Sequence, residues 1–227
     1  MKKILGFALF LLLGTIVVAQ PKQYVSAEDS DPEAKEMLKK IQAKYDAYKT
    51  VEFSFVLDIE IPDQPKESQQ GTLERQGDKY HFKLGTQEVF CDGKSIYFIL
   101  HNNKEVQINN MPDPDEDNSV LSPQAIFNFY ESDNFVFFLT GELVENGKRL
   151  QEITFKPLDR DHSDYAKLVL TVDKNASEII RVKAYSKDAS RYTLHIGKVK
   201  TNTGLVASAF SFNKDKFPGY YVEDLRE

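Results

Sequence analysis

Apolar residues recur along the chain at two different periods, and the change of period divides it. Ala34, Leu38, Ile41, Tyr45 and Tyr48 stand three or four apart, the spacing of one helix face. Ser30 and Glu33 have the separation of a capping box and Pro32 falls in the first turn, so one amphipathic helix is expected over residues 31–49. Its apolar stripe has to cover something. From Val51 to Ile61 the period becomes two, with every odd position apolar and the even ones mostly polar, as on a strand with one wet and one dry face. Tyr80 to Leu84 repeats that alternation, and Gly77-Asp78, Asp92-Gly93, Asn102-Asn103 and Asn146-Gly147 separate strand-like runs by hairpin-length loops, in which Asn and Gly supply positive φ. Sequential antiparallel pairing follows.

Ile96 to Leu100 and Val136 to Leu139 are apolar at both parities, so periodicity does not orient them and leaves open a cover on both faces. Ser122 with Pro123 opens a short helix through Ile126, Phe127 and Tyr130. Further strands are expected at Leu150 to Phe155, Lys167 to Asp173, Glu178 to Tyr185, Arg191 to Lys198 and Ala207 to Phe212. The fold class is mainly β with helical cover, α+β, because an antiparallel sheet of about ten or eleven strands curls and needs its dry face covered. Sixteen Phe and eleven Tyr could fill that space as a packed core or line it as a cavity, and alternation does not distinguish the two.

Composition adds a destination. Lys2 and Lys3 precede an uncharged apolar run from Ile4 to Val18, and Ala19 precedes Gln20-Pro21, the pattern of a secretory signal peptide cut after Ala19. The run is shorter than the roughly 20 residues that cross a bilayer, and an uncleaved anchor is the alternative. Residues 20–30 read as a flexible lead-in and 31–227 as one domain. Without residues 1–19 the chain keeps 27 basic and 35 acidic residues, a net charge of −8, which speaks against nucleic acid and anionic membrane surfaces as general partners. Cys91 is the only cysteine, so no intramolecular disulfide can form.

Catalytic patterns are sparse. His81, His101, His162 and His195 are scattered, with no pair at metal-ligand spacing. Cys91 has no neighbouring Lys or His to activate it. Asp113, Asp115 and Asp117 have the spacing of a calcium loop, but Asn118 and Gln124 stand where its Gly and Glu belong. Asp159, Asp161 and Asp164 around His162 are the remaining place for a hydrolase or a hard cation, and a polar loop between strands would look the same. No cofactor, metal or enzymatic activity is expected. Arg75, beside Glu74 in the second strand of the first hairpin, is either an exposed cross-strand charge or a gate or head-group ligand at a cavity mouth.

Taken in order, the helix with Leu38, Ile41 and Tyr45, Val51-x-Phe53-x-Phe55, Gly71-x-Leu73, Cys91-Asp92-Gly93-Lys94-Ser95-Ile96-Tyr97-Phe98 and Leu121-Ser122-Pro123-x-x-Ile126-Phe127 resembles the outer-membrane lipoprotein carrier proteins (LolA-like). Ile153-x-Phe155-x-Pro157, Leu168-x-Leu170-x-Val172-Asp173 and Phe217-Pro218-Gly219 continue the likeness. The resemblance implies a half-open β-barrel closed by helices, whose apolar cavity takes the acyl chains of a lipoprotein. It also implies a monomeric periplasmic carrier that receives cargo from an inner-membrane release complex and delivers it to an outer-membrane receptor. Phe53, Phe55, Leu57, Phe82, Phe98, Phe127 and Phe155 are the candidate lining. The family often has an Arg-Pro pair on an early strand; here Gln76 follows Arg75. A related module binding a free lipid or glycolipid, or sensing stray lipoproteins, is the alternative, and a cavity-free interaction domain is the plainest one.

Overall fold

The computed structural model describes residues 24, 26–111 and 134–226. The expected signal peptide, the acidic loop at Asp113 to Asp117 and the short helix with Phe127 lie outside them. Helix α1 (Pro32–Asp46) forms where the spacing predicts it and buries Ala34, Leu38, Ile41 and Tyr45. Its cap differs from the expected Ser30–Glu33 box. Ser30 Oγ accepts the Phe137 N–H at 3.1 Å, so Asp31 caps instead, accepting the Glu33 N–H at 2.9 Å ahead of Pro32. The end of the lead-in is ordered by its own cap, a 3-10 turn at Ala27–Asp29 begun by Ser26.

The strands are β1 (Val51–Glu60), β2 (Glu67–Gln76), β3 (Lys79–Leu84), β4 (Gln87–Cys91), β5 (Ser95–Leu100), β6 (Glu105–Asn110), β7 (Phe135–Glu145), β8 (Lys148–Pro157), β9 (Tyr165–Asp173), β10 (Glu178–Ser186), β11 (Arg191–Ile196), β12 (Lys200–Thr201) and β13 (Tyr221–Asp224). They form one sheet in the order β13-β6-β5-β4-β3-β2-β1-β11-β10-β9-β8-β7, with β12 against the start of β1. The ends of the path, β13 and β7, do not pair, so the sheet stays open. Strand pairing is antiparallel throughout except for β13, which lies parallel to β6. Two expectations are corrected. Among the described residues the sheet has 13 strands, more than ten or eleven, and Ala207–Phe210 is a 3-10 turn instead of a strand.

The hairpin chemistry is as read at Asn146 (φ 51) and Gly147 (φ 76), which both take the left-handed conformation between β7 and β8. At Asn102-Asn103 the turn runs one residue longer, and Lys104 takes the positive φ (51). The two faces of the sheet have different covers. Face A carries α1 and the larger cluster, from Leu38 and Ile41 through Phe53, Leu73, Phe155 and Leu170. On face B, at the β4–β6 end, Phe90, Ile99, Val106 and Ile108 form a second cluster under Phe212, Phe217 and Tyr220 from the C-terminal tail. Ile96 joins the first cluster and Ile99 the second, so β5 contributes to both faces, although Phe98 on face A stays 38% exposed.

Beside that second cluster sits a nearly buried carboxylate. Glu88 accepts hydrogen bonds from His81 Nε2 (2.7 Å) and His101 Nε2 (3.0 Å) and pairs with Lys83 Nζ (3.0 Å). Burial would raise its pKa, but the hydrogen bonds from His81, Lys83 and His101 outweigh burial and hold it at about 2. His101 Nδ1 meets the Tyr220 hydroxyl at 2.9 Å, so the carboxylate reaches the tail through one imidazole.

Candidate functional site

Period-two alternation puts the odd residues of β1 on face A, and register extends them into rows that cross the sheet. Phe53 pairs with Leu73, Leu73 with Phe82, Phe82 with Val89 and Val89 with Phe98. One row therefore contains three of the candidate lining residues. Leu57 heads a second row in the other direction, through Leu194, Val182, Leu170, Ile153 and Leu139. Phe155 belongs to a third, between Leu168 and Phe137. Phe55 sits between Gly71 and Ile196.

Cover over these rows is uneven. Helix α1 is fastened to the β7–β10 side: Asp31 N–H donates to the Phe137 carbonyl (2.9 Å), Lys44 Nζ to the Ala176 carbonyl (2.6 Å), and the Ile179 N–H to the Tyr45 hydroxyl (3.3 Å). Burial pushes the Tyr45 phenol up to about 12. Phe155 is fully buried there, with Phe137 at 5.2 Å and Phe135 at 6.3 Å between ring centroids. Along the other row, Phe53 and Leu73 are buried, Phe82 is half-buried, and Phe98 is 38% exposed. Leu57 is also half-buried. Phe127 lies outside the described residues.

A glycine makes the aromatic shelf possible. A Cβ on Gly71 would stand 2.2 Å from Phe55 Cζ and 2.5 Å from the Lys83 carbonyl oxygen, so only glycine lets the Phe55 ring lie across β2 and stack on Phe82 at 5.5 Å with 17° between planes. The Gly71-x-Leu73 motif is legible in the sequence, but the ring it accommodates becomes visible only through register. Arg75 lies on face A between Val51, the first residue of β1, and Tyr80. Its Nε donates to the Gly77 carbonyl at 2.9 Å.

The rival chemical centres are differently placed. Cys91 is fully buried and burial raises its thiol, which donates to the Asp78 carbonyl at 3.4 Å. Asp159 closes an exposed turn, accepting the Asp161 and His162 N–H groups (both 3.1 Å) and His162 Nδ1 (2.7 Å); these bonds, those from His162 foremost, lower its carboxyl. Among the described residues no group of three His, Cys, Asp or Glu is arranged to hold a metal ion. A cavity of about 630 Å³ opens on face B, among Lys156, Lys167, Arg181 and Lys183, and the alternating polar residues that line it drew no attention in the sequence.

No family model and no curated protein matches the sequence, but solved structures do. The fold is similar to that of an uncharacterized conserved protein from Thermus thermophilus, with a TM-score of 0.55 at 11% identity over 86% of this chain and 99% of that one. A DUF1329 family protein from Desulfovibrio piger (TM-score 0.46, 14% identity, 80% and 98% covered) and a LolA superfamily protein from Nitrosomonas europaea (0.43, 12%, 79% and 97%) are similar too. At these identities the likeness is one of fold, an open antiparallel sheet with helical cover.

Proposed function

We propose that this protein is a periplasmic carrier that takes acyl chains of lipoproteins onto face A, between the aromatic shelf and α1, and ferries them from an inner-membrane release complex toward an outer-membrane receptor. The observation that carries the reading is the row Phe53-Leu73-Phe82-Val89-Phe98, which continues unbroken from the buried core to an exposed aromatic. A contiguous apolar surface leading out of a core marks a place for an apolar partner. Phe98, Phe82 and Leu57 form the accessible end, Phe53 and Phe55 its floor, and Phe155 the anchored region under α1. Arg75 on the same face is suited to a polar head group. An acyl chain of about 16 carbons gains at most ~12 kcal/mol on burial, less the cost of ordering. Such transfer needs no catalytic group, since release only requires a receptor that competes for the chains.

Native mass spectrometry and lipid extraction of the protein from its periplasm test the reading. A co-purifying lipoprotein or an acyl ligand is expected, and Phe98→Asp should weaken a fluorescent C16 fatty acid probe at least ~10-fold. Recovery of a free lipid or glycolipid with no lipoprotein would favour the binding or sensing module instead. No acyl ligand and no probe binding would end both.

A further inference from the structure

The cavity on face B is built from six adjacent strands, β7, β8, β9, β10, β11 and β1. Lys183 lies at its centre, between Val169 on β9 and Thr193 on β11, and the buried Thr154, Thr171 and Thr193 line it with short side chains. Next on β10, Tyr185 pairs with Lys167 on β9. Lys167 Nζ stands 4.4 Å and Lys183 Nζ 5.3 Å from the Tyr185 ring centroid, so the two ammonium groups are held within about 10 Å of each other by one aromatic ring.

The charges lining this cavity are not balanced. Asp58 is already held by Lys66 (2.7 Å) and His195 (3.1 Å), and Arg181 by Glu145 (3.4 Å). Glu60 stands 4.0 Å from Arg191, and Glu152 is the remaining acid. Among the described residues, Lys156, Lys167 and Lys183 line the same cavity with no carboxylate within ion-pair distance. They do so on a chain whose net charge is negative. Even with Glu152 offsetting one of them, three ammonium groups facing one half-enclosed space leave a surplus of positive charge, and an anion relieves their mutual repulsion. Lysine ammoniums act as compact point charges with three donors each, which suits phosphate oxygens. A phosphate monoester brings about −1.5 to −2 charges and three acceptor oxygens, where a carboxylate brings one charge. A volume of about 630 Å³ is within the roughly 300–1,000 Å³ of small-molecule sites, with room for a polar body beside the phosphate.

We infer that this groove binds a phosphate monoester carried on a polar body, either a free phosphosugar or a phosphorylated lipid headgroup, independently of the apolar site on face A. The test uses the full mature chain. Calorimetric titration with glucose 1-phosphate, with glucose as control, reads the free ligand. Flotation with phosphatidylcholine vesicles, with and without phosphatidic acid, reads the headgroup. Binding of glucose 1-phosphate or of the phosphatidic acid vesicles is expected, weakening from ~10 mM to ~150 mM salt as the screening length contracts from roughly 30 to 8 Å. Which probe binds identifies the source. Lys167→Gln/Lys183→Gln should weaken binding at least ~10-fold, while exposed Lys214→Gln leaves it unchanged and C16 probe binding is unaffected in both. Lys156→Gln alone should show the same loss at smaller size, so an unfolded double variant still leaves a readout. Failure of both probes to bind, or undiminished binding in the lysine variants, would overturn the inference.

Discussion

Phe155 and Phe98 share one face of one sheet and differ in what surrounds them. Phe155 is fully buried beneath α1, whereas Phe98 is 38% exposed at the far end of its row. Truncating the first leaves a cavity in packed surroundings; truncating the second removes area that water already reaches. Phe155→Ala should therefore cost about 3–5 kcal/mol in urea unfolding and Phe98→Ala less than about 1 kcal/mol. A large loss at Phe98 would mean that the open end of the shelf is a packed core. The sequence named both as dry-face candidates, but the run around Phe98 is apolar at both parities, and only register places Phe98, and Arg75, on face A. The depth of each was not legible, because it depends on where α1 is fastened. That depends on partners as distant as Asp31 and Phe137, or Tyr45 and Ile179.

At the scale of elements, the tail and the sheet are joined by a titratable clasp. The Glu88 carboxyl is held at about 2 in the fold against an ordinary 4.5. Above pH 4.5 it is ionised folded or unfolded and its stabilisation is fully present. As pH falls from 4.5 toward 2 the unfolded chain binds the proton first, and the advantage is lost. Glu88→Gln should lower stability at neutral pH by on the order of 2–3 kcal/mol. In thermal melts from pH 7 to pH 2, the gap between wild type and variant should close below pH 4.5. Asp58, also at about 2 through hydrogen bonds led by Lys66, titrates in both proteins and leaves the difference to Glu88. None of this clasp could be read from scattered histidines, since His81, Glu88 and His101 meet only through the β3–β4–β5 register. The tail misled for a related reason. Ala207 to Phe212 is a short run of small and aromatic residues whose parity changes between Ala209 and Phe210, and a 3-10 turn there presents Phe210 inward while the Phe212 ring stacks on Tyr97 at 5.2 Å.

For the molecule as a whole, the antiparallel sheet, its helix and its dry face followed from period and turn chemistry, whereas the division of labour between two faces did not. Face A is apolar because alternation keeps its rows in phase from strand to strand; the same register gathers the lysines of face B into one groove. At the two ends of the strand order, β13 lies along β6, and Asp31 and Ser30 bond the backbone of Phe137 on β7. An unpaired edge recruits strands from other molecules, and very short, charged edge strands blunt it; the four-residue β13, with Glu223 and Asp224, replaces the longer β6 as the edge and so acts as an internal inhibitor of polymerisation. Removing residues 219–227 should convert a species whose sedimentation is independent of concentration into one that associates as concentration rises. The converse holds for engineering. A fusion joined beyond Arg226 lengthens a guard strand, whereas one that trims the tail turns the protein into a seed for its own assembly.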